Sequence, residues 1–361
     1  MTSVPTDVPV AGSGQQVDFY KITQFVTSEF QTEDSLIDQG VPTYYLMWPQ
    51  ETKQAFLRLL RKLEEINMIA FLRKLNGRVV LRVGEKPPVK PSNPRTYWFL
   101  FLATVATTFV TGFVSFQESG LNPFISGAIF SASILTVLGL HEMGHKITAN
   151  KKKVEATSPY FIPGIPPLGT LGAVIVQKSL PPNRDALFDI GANGPIAGFF
   201  VALLFSVVGL TLLTPTTASP DAIGLPIPLS WNYLLVPALS SLHLIPSLGA
   251  NNSYAFHPIT MAGWAGMIVT MLNLLPAGML DGGHVAKSTV PDKWRYVLTI
   301  VSVAILFLAG SEFWLFAFIV IFMSAFKHPG PLDDVSGLSK NRKLITIGLV
   351  AIFLLSFPIN Y

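Results

Sequence analysis

Cysteine is absent from all 361 residues, which excludes a disulfide-stapled secreted domain and any control by disulfide exchange. Charge is scarce as well. Asp, Glu, Lys and Arg together make up 13% of the chain, about half the roughly 25% of an ordinary soluble domain. The first residues, Met1 to Gln16, lack both a basic stretch and an apolar run, so no cleavable signal is expected there. They are not Arg-rich either, which argues against an organelle transit peptide. What fills the chain is apolar: 50% hydrophobic residues and a mean hydropathy of +0.48. That composition excludes a disordered or fibrous protein and points to a membrane protein. The formal charge of +4 is no argument for nucleic acid, because polytopic proteins collect Lys and Arg for topological reasons.

The charge that exists is unevenly spread. Residues 1–96 hold twelve of the 25 basic and ten of the 21 acidic side chains. The remainder has the composition of a membrane domain. Residues 1–18 read as a disordered tail and 19–84 as a small soluble α+β domain on the cytosolic side. Within it Thr52–Leu75 has apolar residues at helical spacing, while Tyr44–Met47 and Val79–Val83 look like strands. Residues 85–96 (EKPPVKPSNPRT) form a Pro-rich linker, and 97–361 a transmembrane domain.

A bilayer-spanning helix needs about 20 apolar residues. Seven runs qualify or come close: 97–116, 124–148, 187–213, 258–280, 296–309, 313–325 and 344–357. The fifth to seventh are short, and the fifth and sixth, separated only by Gly310-Ser311-Glu312, read also as one helical hairpin or a partly buried pair. The fold class expected is therefore an all-α polytopic membrane protein of about seven transmembrane helices, preceded by the α+β domain. With the N-terminus inside, the outer loops 117–123, 214–257 and 310–312 carry no Lys or Arg, as the positive-inside rule requires.

Three carboxylates lie within or at the edge of apolar runs: Glu142, Asp189 and Asp281. A charge at the bilayer centre costs about 2.5–3.5 kcal/mol even on insertion scales, so each needs a partner. Glu142 belongs to His141-Glu142-Met143-Gly144-His145, the HExxH pattern. On a helix the two histidines share a face and can bind one Zn²⁺, while Glu142 is turned away from that face. From there it can act as general base toward a water polarised by the metal. Chance placement predicts roughly 0.002–0.003 such motifs in a chain of this composition, so the pattern is meaningful. A catalytic zinc takes a third protein ligand. Asp281 is the candidate, because His141 and Asp281 both fall toward the inner edge of the membrane when counted along their helices. Asp189 reads as a structural partner within the bundle or at the inner interface. His284 reads as a helix-end histidine, the other readings being an outer partner of the metal site or an alternate ligand. His243, His257 and His328 read as structural.

The paired motifs carry a resemblance. HEMGH and the later Asn273-Leu-Leu-Pro-Ala-Gly-Met-Leu-Asp281-Gly-Gly-His284 resemble the site-2 protease family of intramembrane zinc metalloproteases. Gly191-Ala-Asn-Gly-Pro-Ile-Ala-Gly198 and His257-Pro-Ile-Thr-Met-Ala-Gly-Trp264 match further. The block from Pro159 to Ala173 and the segment His328–Asp334 resemble its archaeal, cyanobacterial and plastid branch. The likeness covers about residues 97–335. It implies one zinc ion held by His141, His145 and Asp281, with Glu142 activating water. It also makes Asn273 a candidate donor to the oxyanion, although an interhelical hydrogen bond is the other use for it. Gly191, Gly194 and Gly198 fit close helix packing better than contact with substrate.

Residues 160–176 admit two readings. Pro163, Pro166 and Pro167 forbid a long helix, and Thr170 with Val174–Val176 suits a strand. Such a strand edge near the metal could pair with an unwound substrate; the other reading is a plain interfacial loop. The function expected is an intramembrane zinc metalloendopeptidase of the cell membrane, with the N-terminus cytosolic. Its partners would be transmembrane-protein substrates and the lipid bilayer, with no nucleic acid. The alternative is a membrane transporter or receptor with a structural metal site.

Overall fold

A computed structural model describes residues 19–89, 91–117, 120–216, 226–245, 253–326 and 328–359. The tail expected at 1–18 lies outside the described residues. The chain divides into two compact units.

The first unit comprises residues up to Pro91 together with Lys178–Leu187 and Pro329–Ser339. Its elements are α1 (Phe19–Thr27), β1 (Thr32–Asp38), β2 (Val41–Leu46), α2 (Lys53–Glu64), β3 (Met68–Leu75) and β4 (Arg78–Glu85). The strands form one antiparallel sheet in the order β1-β2-β4-β3. Ala55, Phe56, Leu59 and Leu63 of α2, with Ile22 and Val26 of α1, cover the sheet's apolar face. The helix expected over Thr52–Leu75 is thus corrected. It ends at Glu64, Asn67 turns the chain at φ +55°, and the remaining apolar residues enter β3.

The outer side of β3 is covered by residues distant in sequence. Leu72 N–H donates to the Leu332 carbonyl at 2.9 Å, and Asp334 N–H to the Leu72 carbonyl at 3.2 Å. Leu332 enters the same core as α2, with Leu180 and Val335 packed beside it. Asp333 is fully buried, and its Oδ1 accepts from the Val335 and Ser336 amides, each at 2.9 Å. This turn closes the 329–339 segment without exposing its backbone. Leu332 and Asp333 N–H groups donate in turn to the carbonyls of Pro181 and Pro182.

The second unit is mostly helical. In it lie α3 (Pro94–Ser115), α4 (Pro123–Lys151), the strands β5 (Tyr160–Pro163) and β6 (Thr170–Val174), and most of α5 (Arg184–Leu210). Next come β7 (Thr214–Thr216), β8 (Ile227–Pro228), a π-helical turn at Trp231–Leu235, α6 (Val236–Ser241) and β9 (Ser253–Ala255). The chain then runs through α7 (Pro258–Leu274), α8 (Asp281–Thr289), α9 (Asp292–Ala309), α10 (Trp314–Ser324), α11 (Lys340–Ser356) and β10 (Pro358–Ile359). Among the described residues three helices are long and apolar enough to cross a membrane, α3, α4 and α5.

Helix starts are written in the sequence. α3, α4 and α7 each begin with proline at the first helical position behind a capping side chain, Asn93, Asn122 and His257. Each cap accepts from an amide two residues on, and proline loses nothing there because its missing N–H would be unpaired anyway. α3 and α4 then approach closely. Thr108 and Ser131 hydroxyls meet at 2.8 Å, and a Cβ on Gly112 would lie 2.7 Å from Phe130 Cβ. Small residues at such a crossing let the backbones pack. The run 258–280 is not one helix. It stops at Leu274 before Pro276, turns through Gly278 at φ +53°, and restarts at Asp281.

β5 and β6 form an antiparallel hairpin, so the strand reading of residues 170–174 is what the fold contains. Thr107 of α3 donates to the Gly169 carbonyl at 2.7 Å and ties the hairpin to that helix.

Candidate metal centre

α4 supplies two histidines. His141 and His145 sit four residues apart on one face of the helix, and both are buried. Asp281, the first residue of α8, faces them from the opposite side, where the positive end of the helix dipole favours a carboxylate. The three donor atoms form a nearly equilateral triangle. His141 Nε2 lies 3.2 Å from His145 Nε2, and Asp281 Oδ2 lies 3.2 Å from each of them. Ligands held tetrahedrally at about 2.0–2.1 Å from zinc stand about 3.3 Å apart, so this triangle suits one such ion. Among the described residues it is the one group of three His, Asp or Glu donors close enough to hold a metal.

The surroundings fix one of the donors, His145. His145 Nδ1 meets the Ile190 carbonyl of α5 at 2.7 Å. A carbonyl only accepts, so Nδ1 carries the proton and Nε2 presents its lone pair to the centre of the triangle. α5 crosses so closely that side chains are excluded. A Cβ on Gly194 would lie 2.0 Å from His145 Nε2, and one on Gly198 would lie 2.7 Å from His141 Nδ1. In the other direction, a Cβ on Gly144 would meet the Asn193 carbonyl at 2.5 Å. The glycines of Gly191–Gly198 therefore serve helix packing, and what they pack against is the donor set itself.

Glu142 stands outside the triangle, with Oε1 4.0 Å from His141 Nε2. The Ile175 amide, just beyond the end of β6, faces its carboxylate. The hairpin therefore ends beside the acid that could act as base. Asn273, in the last turn of α7, places Nδ2 3.4 Å from His141 Nε2. All five residues singled out from the sequence thus come together in the second unit.

The other candidates lie elsewhere. His284 bonds the Leu280 carbonyl through Nδ1 at 3.0 Å and packs edge-on against His328, ring centroids 4.7 Å apart. His257 caps α7 by accepting from Ile259 N–H. Asp189 is held by Arg342 through two hydrogen bonds of 2.6 Å and by Lys152 at 2.7 Å. Reading from residue types missed the Ile190 carbonyl and the Ile175 amide, because a backbone group leaves no signature in the sequence. Arg342 could have been sought, since an aspartate in an apolar helix calls for a cation.

Two histidines at helical spacing, an aspartate from a second helix and a glutamate beside them, set among long apolar helices, define a membrane metal centre of the zinc-peptidase kind. Comparison with known proteins agrees: the model of peptidase family M50 matches residues 129–309. The chain belongs to that family, the site-2 proteases. It is 32% identical over 244 residues to "Probable zinc metalloprotease EGY1, chloroplastic" of Arabidopsis thaliana, covering 66% of this chain and 44% of that protein. The Oryza sativa subsp. japonica protein of the same name is 36% identical over 165 residues, 45% of this chain and 28% of its own length. "Probable zinc metalloprotease EGY2, chloroplastic" of Arabidopsis thaliana is 29% identical over 266 residues, 70% of this chain and 46% of that protein. The chain thus spans less than half the length of these relatives. No solved structure matches it with significance.

Proposed function

We propose that the protein is a multi-pass zinc metalloendopeptidase that hydrolyses peptide bonds within or near the transmembrane segments of other membrane proteins. The observation that carries the reading is the 3.2 Å triangle of His141, His145 and Asp281 with Glu142 beside it. These three residues would hold the zinc, which would polarise the scissile carbonyl and make water a nucleophile near neutral pH. Glu142 takes the proton of the attacking water as the C–O bond forms. It returns that proton to the nitrogen as the C–N bond breaks, leaving a carboxylate and an amine. Asn273 Nδ2–H donates to the oxyanion that develops on the former carbonyl oxygen. β6 pairs with β5 on one side, and its other edge offers backbone hydrogen bonds to an unwound substrate segment.

The orientation we infer rests on connectivity and charge. A water-soluble unit assembled from residues 19–91, 178–187 and 329–339 must have all three segments on one side of a bilayer. The number of crossings between successive segments is then even. α3 and α4 make two, and α5, α7, α9 and α10 make four; α11 is the seventh. On the positive-inside rule we read the domain at 19–84 and the linker at 85–96 as cytosolic in a cell membrane, with the membrane domain at 97–361. The test is Glu142→Gln in the purified full chain. The variant keeps its zinc and its fold and loses cleavage of a generic transmembrane substrate. Residual cleavage within tenfold of the parent, or a parent that carries no zinc, overturns the assignment and leaves a transporter or receptor.

A further inference from the structure

Asp189 has no place in the chemistry above, yet it sits in an apolar helix with two cations on it. Arg342 grips both its oxygens, Nε to Oδ1 and a terminal nitrogen to Oδ2, each at 2.6 Å; Lys152 Nζ adds a third contact at 2.7 Å. The three side chains are only 16–32% exposed. They come from three different helices: Asp189 from the second turn of α5, Lys152 from the cap that ends α4, and Arg342 from the first turn of α11. Two of these placements suit the helix dipoles, an acid near the start of α5 and a base at the end of α4. Arg342 near the start of α11 does not, so the pair with Asp189 is what holds it there.

The neighbour of Asp189 is Ile190, whose carbonyl fixes His145 at 2.7 Å. Lys152 lies seven residues beyond His145 on the same helix, about two turns away. The cluster therefore ties the end of α4 to the stretch of α5 that carries the carbonyl. Asn193 Nδ2 adds a bond of 2.8 Å to the Asp189 carbonyl and stiffens the same turn. We propose that Arg342, through Asp189, is a positioning residue for the metal centre, holding the Ile190 carbonyl where it sets the ring orientation and tautomer of His145. This rests on the reading of His145 as a zinc ligand.

The experiment measures zinc affinity of the full chain by competition with a chelator, and the visible spectrum of the cobalt(II)-substituted protein. Outer partners of metal ligands contribute 10–100-fold to affinity, and Arg342 acts one step further out, so Arg342→Gln weakens zinc about tenfold. It also shifts the cobalt bands, because the His145 ring turns. Arg342→Lys restores a cation and binds within about threefold of the parent. Lys53→Gln, which breaks an ion pair with Asp185 at 3.1 Å in the first unit, changes neither readout. If Arg342→Gln does not fold, the near-isosteric Asp189→Asn takes its place with the same expectation. Parent-like zinc affinity and cobalt spectrum in the folded fraction of either variant overturn the proposal, whatever their thermal stability. If the parent binds no zinc, or binds it equally after His145→Ala, the metal reading fails instead, which is a distinguishable result.

Discussion

Replacing Gly194 by alanine adds one methyl group to a buried position of α5, and the structure puts that methyl inside the metal centre. The new Cβ would lie 2.0 Å from His145 Nε2, 2.3 Å from Cε1 and 2.5 Å from Cδ2. Ordinary contact between such atoms is about 3.5 Å, so ring and helix must part by more than 1 Å. The ring cannot give cheaply. Moving it breaks the bond from Nδ1 to the Ile190 carbonyl, which for a buried pair costs about 1–3 kcal/mol. It also takes Nε2 out of a triangle whose edges must hold to about 0.2 Å to ligate one ion. Losing one of three ligands weakens zinc at least about 100-fold, and a 1 Å misplacement alone costs a comparable factor in rate. The assay is zinc per mole of protein after equilibration with a metal buffer, alongside cleavage of a transmembrane substrate. Gly139→Ala, on α4 but only in ordinary contact at 3.6 Å with Phe161, is the control and behaves as the parent. Parent-like zinc content and activity in Gly194→Ala would refute the packing argument.

Asp281→Ala removes a ligand rather than the base, so zinc occupancy and activity fall together; full occupancy by metal analysis would place the third ligand elsewhere. Glu29 supplies a pH test in the first unit. Burial alone would raise its pKa, but Lys62 at 2.6 Å and Arg58 at 2.7 Å outweigh it and hold the carboxyl below the usual range. The stabilisation is present at neutral pH and is lost as pH falls below the ordinary glutamate value through the lowered one. Protection factors of α2 amides, taken relative to intrinsic exchange at each pH, should therefore fall as pH drops below the ordinary glutamate value, and less steeply in Glu29→Gln; equal pH dependence in both would sink the assignment. For orientation, cysteines introduced singly as S92C and S219C in this cysteine-free chain can be labelled in intact cells with an impermeant thiol reagent. Ser219 lies outside the described residues, but its outer loop should react while position 92 does not, and the reverse pattern would invert the topology.

The centre was legible because its chemistry is carried by side chains at fixed spacing. HExxH places two rings on one face by helical geometry alone, and counting residues from the membrane edge brought Asp281 to the same level. The β6 strand was legible from β-branched residues among prolines. Other features leave no such trace. The apolar spacing over 52–75 fits a helix throughout, and the break at Asn67 shows only as one residue able to adopt positive φ. The partners of His145 and Glu142 are a carbonyl and an amide, which every residue possesses. Nothing in Leu180 or Leu332 marks them as core of a unit that begins 160 or more residues earlier, because an apolar residue in a connecting segment does not name what it packs against.

That last feature bears on how the chain is made. The outer strand of the first unit is completed by a bond between Leu72 and Leu332, 260 residues apart. At about 5–20 residues per second, some 13–50 s separate the emergence of the two from the ribosome. For that interval β3 has an open edge and part of its apolar face is uncovered. All but one of the apolar helices are synthesised meanwhile, so the first unit can close only after them. Its completion is a late event of biosynthesis, although its four strands leave the ribosome before any of the apolar helices.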